Sequence, residues 1–162
     1  MLNTNKNSQP FILFELANTT YGLPSQIVQQ MEMIDSITPV PNAAEFVEGV
    51  VFSRGKVIPA INLRVRFGLD KIPYDIRTRL IVINSDNRTV GLIADTAREF
   101  VNIPEDVIQP PPEAISGLSG KYLESIATLG ERLILILNPQ TLMNIDNLNE
   151  KMINREKTNH PA

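Results

Sequence analysis

Residues that could carry out acid–base, nucleophilic or metal chemistry are scarce in this sequence. The chain contains no cysteine, and its single histidine, His160, is third from the end in the polar segment KTNHPA. A catalytic base must be held within hydrogen-bonding distance of its substrate, and a frayed terminus does not hold it there. The counts also exclude a metal site built from histidine and cysteine. The sequence therefore predicts no catalytic residue.

Carboxylates are the remaining candidate ligands for a metal ion. They are Asp35, Glu45, Glu48, Asp95, Glu99, Glu105 and Asp106. Their spacing follows no calcium-loop pattern, and solvated charges at strand ends explain them more simply. The stretch GLSG at 117–120 lacks the lysine and the helix of a phosphate-binding loop. We expect a protein that is not an enzyme and that holds no metal or other cofactor.

Composition narrows the class of protein further. A chain of 162 residues suffices for one domain or two small fused subdomains. The hydrophobic fraction of 43% is ordinary for a globular protein, and the net charge of −3 argues against nucleic acid as the main partner. The polar N-terminus is unlike a signal peptide, and no apolar run approaches the ~20 residues of a membrane span. We expect a cytoplasmic protein that is not inserted in a membrane.

Short apolar runs dominate the elements that would position a binding site. Four of them, bounded by turn-forming residues, predict strands: FILFEL (11–16), KVIPAINL (56–63), RLIVIN (79–84) and RLILILN (132–138). Pro59 indicates that its strand is an edge strand or carries a bulge. Arg64 and Arg66 alternate with apolar residues, which predicts that they lie on the outward face of a strand.

Helical signals are few. The segment 42–46 predicts a short helix that is capped by Asn42 and ended by Gly49. The segment PEDV (104–107) predicts a single turn. Asn138 followed by Pro139 predicts a helix start, and a weak apolar stripe continues it into a charged tail.

An internal sequence repeat is more informative than any single element. The triplet YGL (21–23) is followed by PVP (39–41), by the run GKVIPAI (55–61) and by Asn62. The triplet VGL (91–93) is followed by PPP (110–112), by GERLILIL (130–137) and by Asn138. Two similar halves of short strands, with almost no long helix, predict two small β-barrels side by side.

A small barrel that binds nucleic acid is a competing interpretation. Such barrels stack bases on exposed aromatic side chains in a basic groove. Here Phe11, Phe14, Phe46 and Phe100 sit in apolar runs that indicate core packing, and the basic residues are not clustered on one aromatic-bearing strand. We therefore favour an interpretation without nucleic acid.

The stretch TPVPNAAEFVEGVVFSRGKVIPAINLRVRFGL (38–69) carries the most specific pattern in the chain. Together with YGLPSQIVQQM before it, and VGLIADTAREFVNIPEDVIQPPPE and YLESIATLGERLILILN after it, the sequence closely resembles the CheW-type coupling proteins of bacterial chemotaxis. The resemblance spans about residues 10–143 in the family's order and spacing. It is far more specific than any one short motif.

The resemblance implies an all-β fold of two five-stranded, Src-homology-3-like β-barrels side by side, with short helices between strands and at the C-terminus. The implied organisation is a flexible segment at 1–9, one domain at 10–143 with barrel subdomains at about 10–70 and 77–138, and a helical or disordered tail at 144–162. It also implies a non-enzymatic adaptor that couples the cytoplasmic tip of chemoreceptors to the regulatory domain of a chemotaxis histidine kinase. We expect a monomer in isolation that assembles into receptor–kinase arrays.

Five residues are candidates for these contacts. The resemblance places Val28 in the receptor-binding groove, although a core position is equally compatible with its surroundings. Gly49 satisfies a backbone requirement or allows a partner backbone to approach closely. Gln30 and Phe52 are candidates for kinase contacts, and Phe52 could instead fill the barrel.

Arg54 is the sharpest candidate. Beside Gly55, it would ordinarily be a solvated turn residue. The resemblance instead implies that it faces the receptor helix. Arginine suits that role, because its planar guanidinium can bond carbonyl or carboxylate groups while its stem covers apolar surface.

The sequence departs from the family pattern at several positions. Phe52 and Ser53 replace an Asn-Leu pair, Asn62 replaces an aspartate, Gln30 replaces an acidic residue, and Ala114 stands where relatives can carry an aromatic. These changes fall around surfaces that the family uses for partners. They leave open the receptor, the kinase and the stimulus, and an alternative pathway such as pilus-based or other surface motility.

Overall fold

The computed structural model describes residues 7–113 and 119–144, and most of these residues lie in short strands. The strands are β1 (Ser8–Leu16), β2 (Thr19–Pro24), β3 (Val28–Met33), β4 (Val47–Ser53), β5 (Lys56–Asn62), β6 (Arg79–Ser85), β7 (Arg88–Ala94), β8 (Thr96–Pro104), β9 (Ile108–Gln109), β10 (Leu123–Leu129) and β11 (Arg132–Leu137). Two one-turn helices follow strands directly: α1 (Leu63–Arg66) and α2 (Pro139–Leu142). Three 3₁₀ turns lie at Ser25–Ile27, Glu105–Val107 and Ser119–Tyr122. The predicted strands and the predicted turn at 104–107 are confirmed.

The strands form two sheets, and each sheet takes strands from both halves of the chain. One has six strands in the order β8-β1-β2-β11-β10-β9, and the other has five in the order β3-β6-β7-β5-β4. The predicted subdomains at 10–70 and 77–138 therefore do not coincide with the two sheets. The strands β1 and β2, from the first half of the chain, lie in a sheet with strands of the second half. The strands β6 and β7, from the second half, lie in a sheet with strands of the first. The pairing leaves both sheets open. The fold is mostly β, but two closed five-stranded barrels are not confirmed.

Three hydrophobic clusters fill the molecule. The largest draws side chains from both sheets and so lies between them; it includes Phe14, Leu16, Ile81, Leu92 and Leu137. The second consists of residues from the six-stranded sheet and its flanks, and the third of residues from the five-stranded sheet and the segment that follows β3. One face of each sheet therefore packs against the other sheet. Side chains on its opposite face form a separate hydrophobic cluster with the segments that flank that sheet.

The internal sequence repeat corresponds to a structural repeat. Gly22 pairs with Ile136 where β2 runs parallel to β11, and Gly91 pairs with Ala60 where β7 runs parallel to β5. The asparagines also correspond: Asn62 caps α1 by accepting a hydrogen bond from the Val65 N–H, and Asn138 caps α2 in the same way through the Gln140 N–H. The predicted helix start at Asn138 is confirmed.

Two local predictions are wrong. Residues 42–46 form turns rather than a helix, with Asn42 in the left-handed region at φ +63°, and Gly49 lies inside β4 rather than at a helix end. The residues after Asn62 form α1 rather than a strand, because the Asn62 cap turns the chain out of β5. Arg64 and Arg66 therefore do not lie on a strand face, and Arg66 is buried.

Pro59 predicts an edge strand or a bulge. The strand β5 lies between β7 and β4, so the edge-strand alternative is wrong; the ladder to β7 covers only residues 60–62, beyond the proline. A bulge does lie beside the proline, because the β4–β5 ladder shifts register between Val47 and Gly49, opposite Ile61 and Ala60. Phe100 is 62% exposed on the edge strand β8, so the prediction that it packs in the core is wrong.

Several predictions fall on residues outside the described ranges. These include His160, Ala114, most of the 1–9 segment and all but Asn144 of the 144–162 tail. Within the described ranges, no helix is both long and apolar enough to cross a membrane.

Candidate partner-binding site

Arg54 lies at the tip of a rigid hairpin. Arg54 and Gly55 form the two-residue turn between β4 and β5, and Ser53 pairs with Lys56 at its base. Both turn residues have positive φ, +48° for Arg54 and +81° for Gly55, as a type I′ hairpin turn requires. An arginine is unfavourable at such a position, where asparagine or glycine is preferred. Its side chain is exposed, so the local backbone does not explain why an arginine is there.

Gln30 lies close to this hairpin in space. It belongs to β3, and β3 and β4 are the two opposite edges of the five-stranded sheet. Nevertheless the Gln30 Nε2 donates a hydrogen bond of 2.7 Å to the Ser53 Oγ, and it also contacts the Glu32 carboxylate. The sheet therefore curls until its edges are joined by side chains. We call this junction the β3–β4 seam, defined by Gln30, Glu32 and Ser53.

A small cavity opens beside the β3–β4 seam. Its volume is about 80 Å³, and Gln30, Ser53, Arg54 and Lys56 contribute to its lining. Neither Arg54 nor Lys56 forms a salt bridge with another described residue. The two cations are therefore available to an acidic group of a partner.

Phe52 is presented to solvent rather than to the core. It is 75% exposed, and its cross-strand neighbour Val57 is 66% exposed. The interpretation that Phe52 fills the barrel is therefore wrong, and its neighbour Val51 takes the core position instead. The pair Phe52–Val57 forms an apolar surface beside Arg54. Sequence reasoning missed Lys56 and Val57, although the Arg54–Gly55 turn fixes which residues of β5 lie opposite β4.

Val28 and Gly49 are more internal than their predicted roles require. Val28 begins β3, pairs with Ile83 and packs partly buried against the cluster between the sheets. Gly49 is buried with φ +149°, and a Cβ there would lie 2.1 Å from the Thr38 carbonyl oxygen. Thr38 lies alongside β4 here, in an isolated antiparallel bridge that exchanges two backbone hydrogen bonds with Val50. The close approach of the Thr38 backbone thus accounts for the glycine, and partner contacts by Val28 and Gly49 stay predictions.

Two departures from the family pattern are internal as well. Asn62 is buried; besides capping α1, its amide donates to the Glu48 Oε1 at 3.1 Å. Ser53 is also buried and belongs to the β3–β4 seam. Burial raises the pKa of the nearby Tyr74 to about 12, and the Glu48 carboxylate adds to the effect. Asn62 therefore joins the loop that carries Tyr74 to β4 and β5, through contacts with the Glu48 carboxylate and the Tyr74 hydroxyl.

The carboxylates do not assemble into a metal centre. Among the residues that the structure describes, no group of three or more potential ligands comes together. Asp95 instead forms a two-point ion pair with Arg64, at 2.8 and 2.7 Å, and accepts the Ala17 N–H. Burial opposes ionisation of Asp95, but these donors outweigh burial and lower its pKa. Glu48 and Glu99 likewise bind Lys71 and Arg132.

The features described so far define a two-sheet β protein whose β4–β5 hairpin presents Phe52, Arg54 and Lys56 to solvent beside the β3–β4 seam. The family model for the CheW-like domain matches residues 10–147. The chemotaxis protein CheW of Klebsiella aerogenes is 32% identical over 140 residues, which cover 86% of this chain and 84% of the relative. Protein FrzA of Myxococcus xanthus is 32% identical over 104 residues, or 64% of this chain and 65% of the relative.

A crystal structure of the scaffolding protein TtCheW from Thermoanaerobacter tengcongensis has the same fold. It superimposes with a TM-score of 0.79 at 32% identity, covering 86% of this chain and 94% of that protein. The chain therefore belongs to the CheW-like family of chemotaxis scaffold proteins.

Proposed function

We propose that this protein is a non-enzymatic cytoplasmic adaptor that couples chemoreceptors to a chemotaxis histidine kinase. The observation that carries the proposal is that Gln30 and Arg54 line one cavity at the β3–β4 seam, with the exposed Phe52 next to Ser53 in β4, in a member of a scaffold family. An exposed phenylalanine beside an exposed arginine is typical of protein-binding surfaces, where aromatic residues and arginine contribute most of the binding energy.

The two partners would use neighbouring parts of this surface. Arg54, on its rigid turn, contacts the helical tip of the receptor, and Val28 supplies apolar area at the start of β3. Phe52 and Gln30 contact the regulatory domain of the kinase. A helix that lies in a groove requires apolar contact as well as a polar anchor, and this division provides both.

Titration of purified partners tests the proposal. The probes are a cytoplasmic receptor fragment and a kinase regulatory domain encoded by the same genome, measured by isothermal calorimetry. Arg54→Ala should weaken receptor binding by about 2 kcal/mol, roughly thirtyfold, and leave kinase binding unchanged. Val28→Ala should weaken the same receptor complex. Wild-type receptor affinity in Arg54→Ala would show that the arginine is only a turn residue.

Family membership does not decide which pathway the adaptor serves. The relative in Myxococcus xanthus carries a different name from the CheW relatives, which keeps a pilus or other surface-motility pathway as the alternative. Deletion of the gene distinguishes the two pathways: loss of swimming responses supports the first, and loss of surface spreading alone supports the second.

Nucleic-acid binding has less support. The two exposed phenylalanines, Phe52 and Phe100, lie on different sheets. Arg64 and Arg132 are engaged in ion pairs, and Arg66 is buried. Among the described residues, the exposed cations Arg54 and Lys56 lie beside one exposed phenylalanine, Phe52, whereas a single strand stacks successive bases on several aromatic rings.

A further inference from the structure

Arg66, the last residue of α1, is a buried cation. Its side chain donates a hydrogen bond of 3.1 Å from Nη2 to the Thr141 carbonyl oxygen, while its buried Nε has no partner among the described residues. None of its contacts with the described residues is an ion pair with a carboxylate. Burial lowers the pKa of the Arg66 guanidinium, which reflects the free energy needed to keep this charge away from water.

Aromatic rings take the place of a counter-ion. The guanidinium carbon lies 4.0 Å from the centre of the Phe46 ring and 5.0 Å from that of Tyr122. Both distances are within the range of cation–π attraction, which is strongest away from water. Arg66 therefore contacts the two aromatic rings through its guanidinium and the Thr141 carbonyl oxygen through one N–H.

Phe46 and Tyr122 are equivalent residues of the structural repeat. The Phe46 carbonyl accepts the Asn62 N–H at 2.8 Å, and the Tyr122 carbonyl accepts the Asn138 N–H at the same distance. Arg66 thus lies between matching aromatic residues of the two halves. It comes from the first half and contacts both Tyr122 and Thr141 of the second.

The second half carries a leucine at the corresponding position. Arg66 is the fourth residue after its cap Asn62, and Leu142 is the fourth after its cap Asn138; Leu142 is buried. A one-turn helix of this kind therefore does not require a charge at its last residue. Since replacing a buried charge with an apolar residue is often neutral or stabilising, the arginine calls for a reason other than stability.

We propose that Arg66 is a positioning residue that fixes the orientation of the five-stranded sheet on the six-stranded sheet. The cluster between the sheets is apolar, and apolar contact has little directional preference. Cation–π contacts and a hydrogen bond are directional, so Arg66 selects one packing among several of similar energy. Phe67, its neighbour, extends the arrangement: its ring packs at a tilt against Tyr122, with ring centres 5.3 Å apart, and stacks on Tyr21 of the six-stranded sheet at 5.6 Å.

The relative orientation of the two sheets matters for binding, because Val28 packs against the same cluster between the sheets. A shift of one sheet on the other would move β3 relative to the six-stranded sheet and reshape the groove beside Val28. This link to receptor binding rests on the function proposed above. The positioning role itself does not, and the experiment below measures it without any partner.

A pair of spin labels tests the positioning role. The chain has no cysteine, so the exposed residues Phe100 and Val57, on different sheets, can be changed to cysteine and labelled. Pulsed electron paramagnetic resonance should give one narrow distance distribution when Arg66 is present. Arg66→Leu, which copies Leu142, should broaden or split this distribution while the melting temperature stays equal or rises.

Two further variants complete the test. Arg66→Lys keeps the charge but loses the flat guanidinium, so it should also broaden the distribution. Arg132→Leu removes an exposed cation that pairs with Glu99, and it should leave the distribution unchanged. An unchanged, narrow distribution in Arg66→Leu overturns the proposal, whether or not the melting temperature falls. A broadened one at preserved stability supports it.

Discussion

Arg54 combines an unfavourable backbone position with an exposed side chain. Its φ of +48° lies in the left-handed region, where a non-glycine residue is strained by about 1 kcal/mol or more. Strained residues of this kind cluster at functional sites. We therefore expect folding and partner binding to favour different residues at this position.

Arg54→Asn separates these two requirements. Asparagine tolerates the left-handed region better than arginine does, so we expect stability to stay equal or to rise by up to about 1 kcal/mol. Affinity for the receptor fragment should fall about thirtyfold, because the guanidinium is lost. Thermal unfolding and calorimetric titration of the same preparation measure both effects. A fall in stability without a fall in affinity would contradict this assignment.

Phe52 offers a second test at the scale of one side chain. Since Phe52 is 75% exposed, Phe52→Asn should change the free energy of unfolding by no more than about 0.5 kcal/mol. A core phenylalanine would lose about 3 kcal/mol or more on truncation. We expect kinase binding to weaken instead.

Phe100→Asn is the matched control for Phe52→Asn. Phe100 is 62% exposed but lies on the six-stranded sheet, away from the β3–β4 seam. It should leave both stability and kinase affinity unchanged. Equal losses of affinity in the two variants would mean that the kinase surface is not confined to the β3–β4 seam.

At the scale of elements, the pairing of Thr38 with β4 determines the path of the chain after β3. This pairing brings the Thr38 carbonyl oxygen to the place that a side chain on residue 49 would occupy. Gly49→Ala should therefore destabilise the protein by at least about 2 kcal/mol, because backbone atoms must move.

Gly55→Ala is the comparison for Gly49→Ala. Gly55 also has positive φ, but a Cβ there would meet nothing within 4 Å. We expect a loss near 1 kcal/mol, from the backbone conformation alone. Chemical denaturation of both variants provides the measurement. Equal losses of unfolding free energy would rule out the close approach of the Thr38 backbone as the reason for Gly49.

The helix α1 is joined to the rest of the fold by the Arg64–Asp95 pair. The pKa of Asp95 is lowered in the folded state, so its ionised form contributes stability above the unfolded pKa of about 3.9. That contribution is lost as pH falls through the folded pKa. Asp95→Asn should therefore destabilise the protein at pH 7 but much less near pH 2.

Melting temperatures measured from pH 7 to pH 2 test the role of Asp95. The difference between wild type and Asp95→Asn should shrink as the pH falls. Asp106→Asn is the control, because Asp106 is exposed and forms no salt bridge with another described residue; its replacement should change the melting temperature little at any pH. A difference that stays constant with pH would mean that Asp95 acts through its shape and not through its charge.

At the scale of the whole molecule, the two halves are interlocked. The strand β5 needs β7 as a neighbour, and β2 needs β11. We expect a fragment of residues 1–76 to remain unfolded by circular dichroism, because its β1–β2 hairpin lacks both the β8 and β11 neighbours. Mixed with 77–162, it should regain sheet structure. Independent folding of the first fragment would restore the division into two contiguous subdomains.

The sequence by itself determined four of the strands, the repeat and the family. Strands such as β6 and β11 follow from local runs of branched apolar residues, and the caps Asn62 and Asn138 mark equivalent points of the repeat. These features depend on neighbours within a few residues of chain. The positive φ of the Arg54–Gly55 turn is local in the same sense, and the absence of cysteine was a matter of counting.

Only the tertiary structure decided which strands share a sheet and which side chains meet. The exchange of β1–β2 and β6–β7 between halves depends on pairing over long chain distances, which period-2 alternation cannot specify. The contact between Gln30 and Ser53 arises because the sheet curls, and the burial of Arg66 arises because aromatic rings from both halves converge on it. Phe52 and Phe100 lie in apolar runs like core residues, yet both are exposed, since the position of a strand in its sheet decides whether anything covers it.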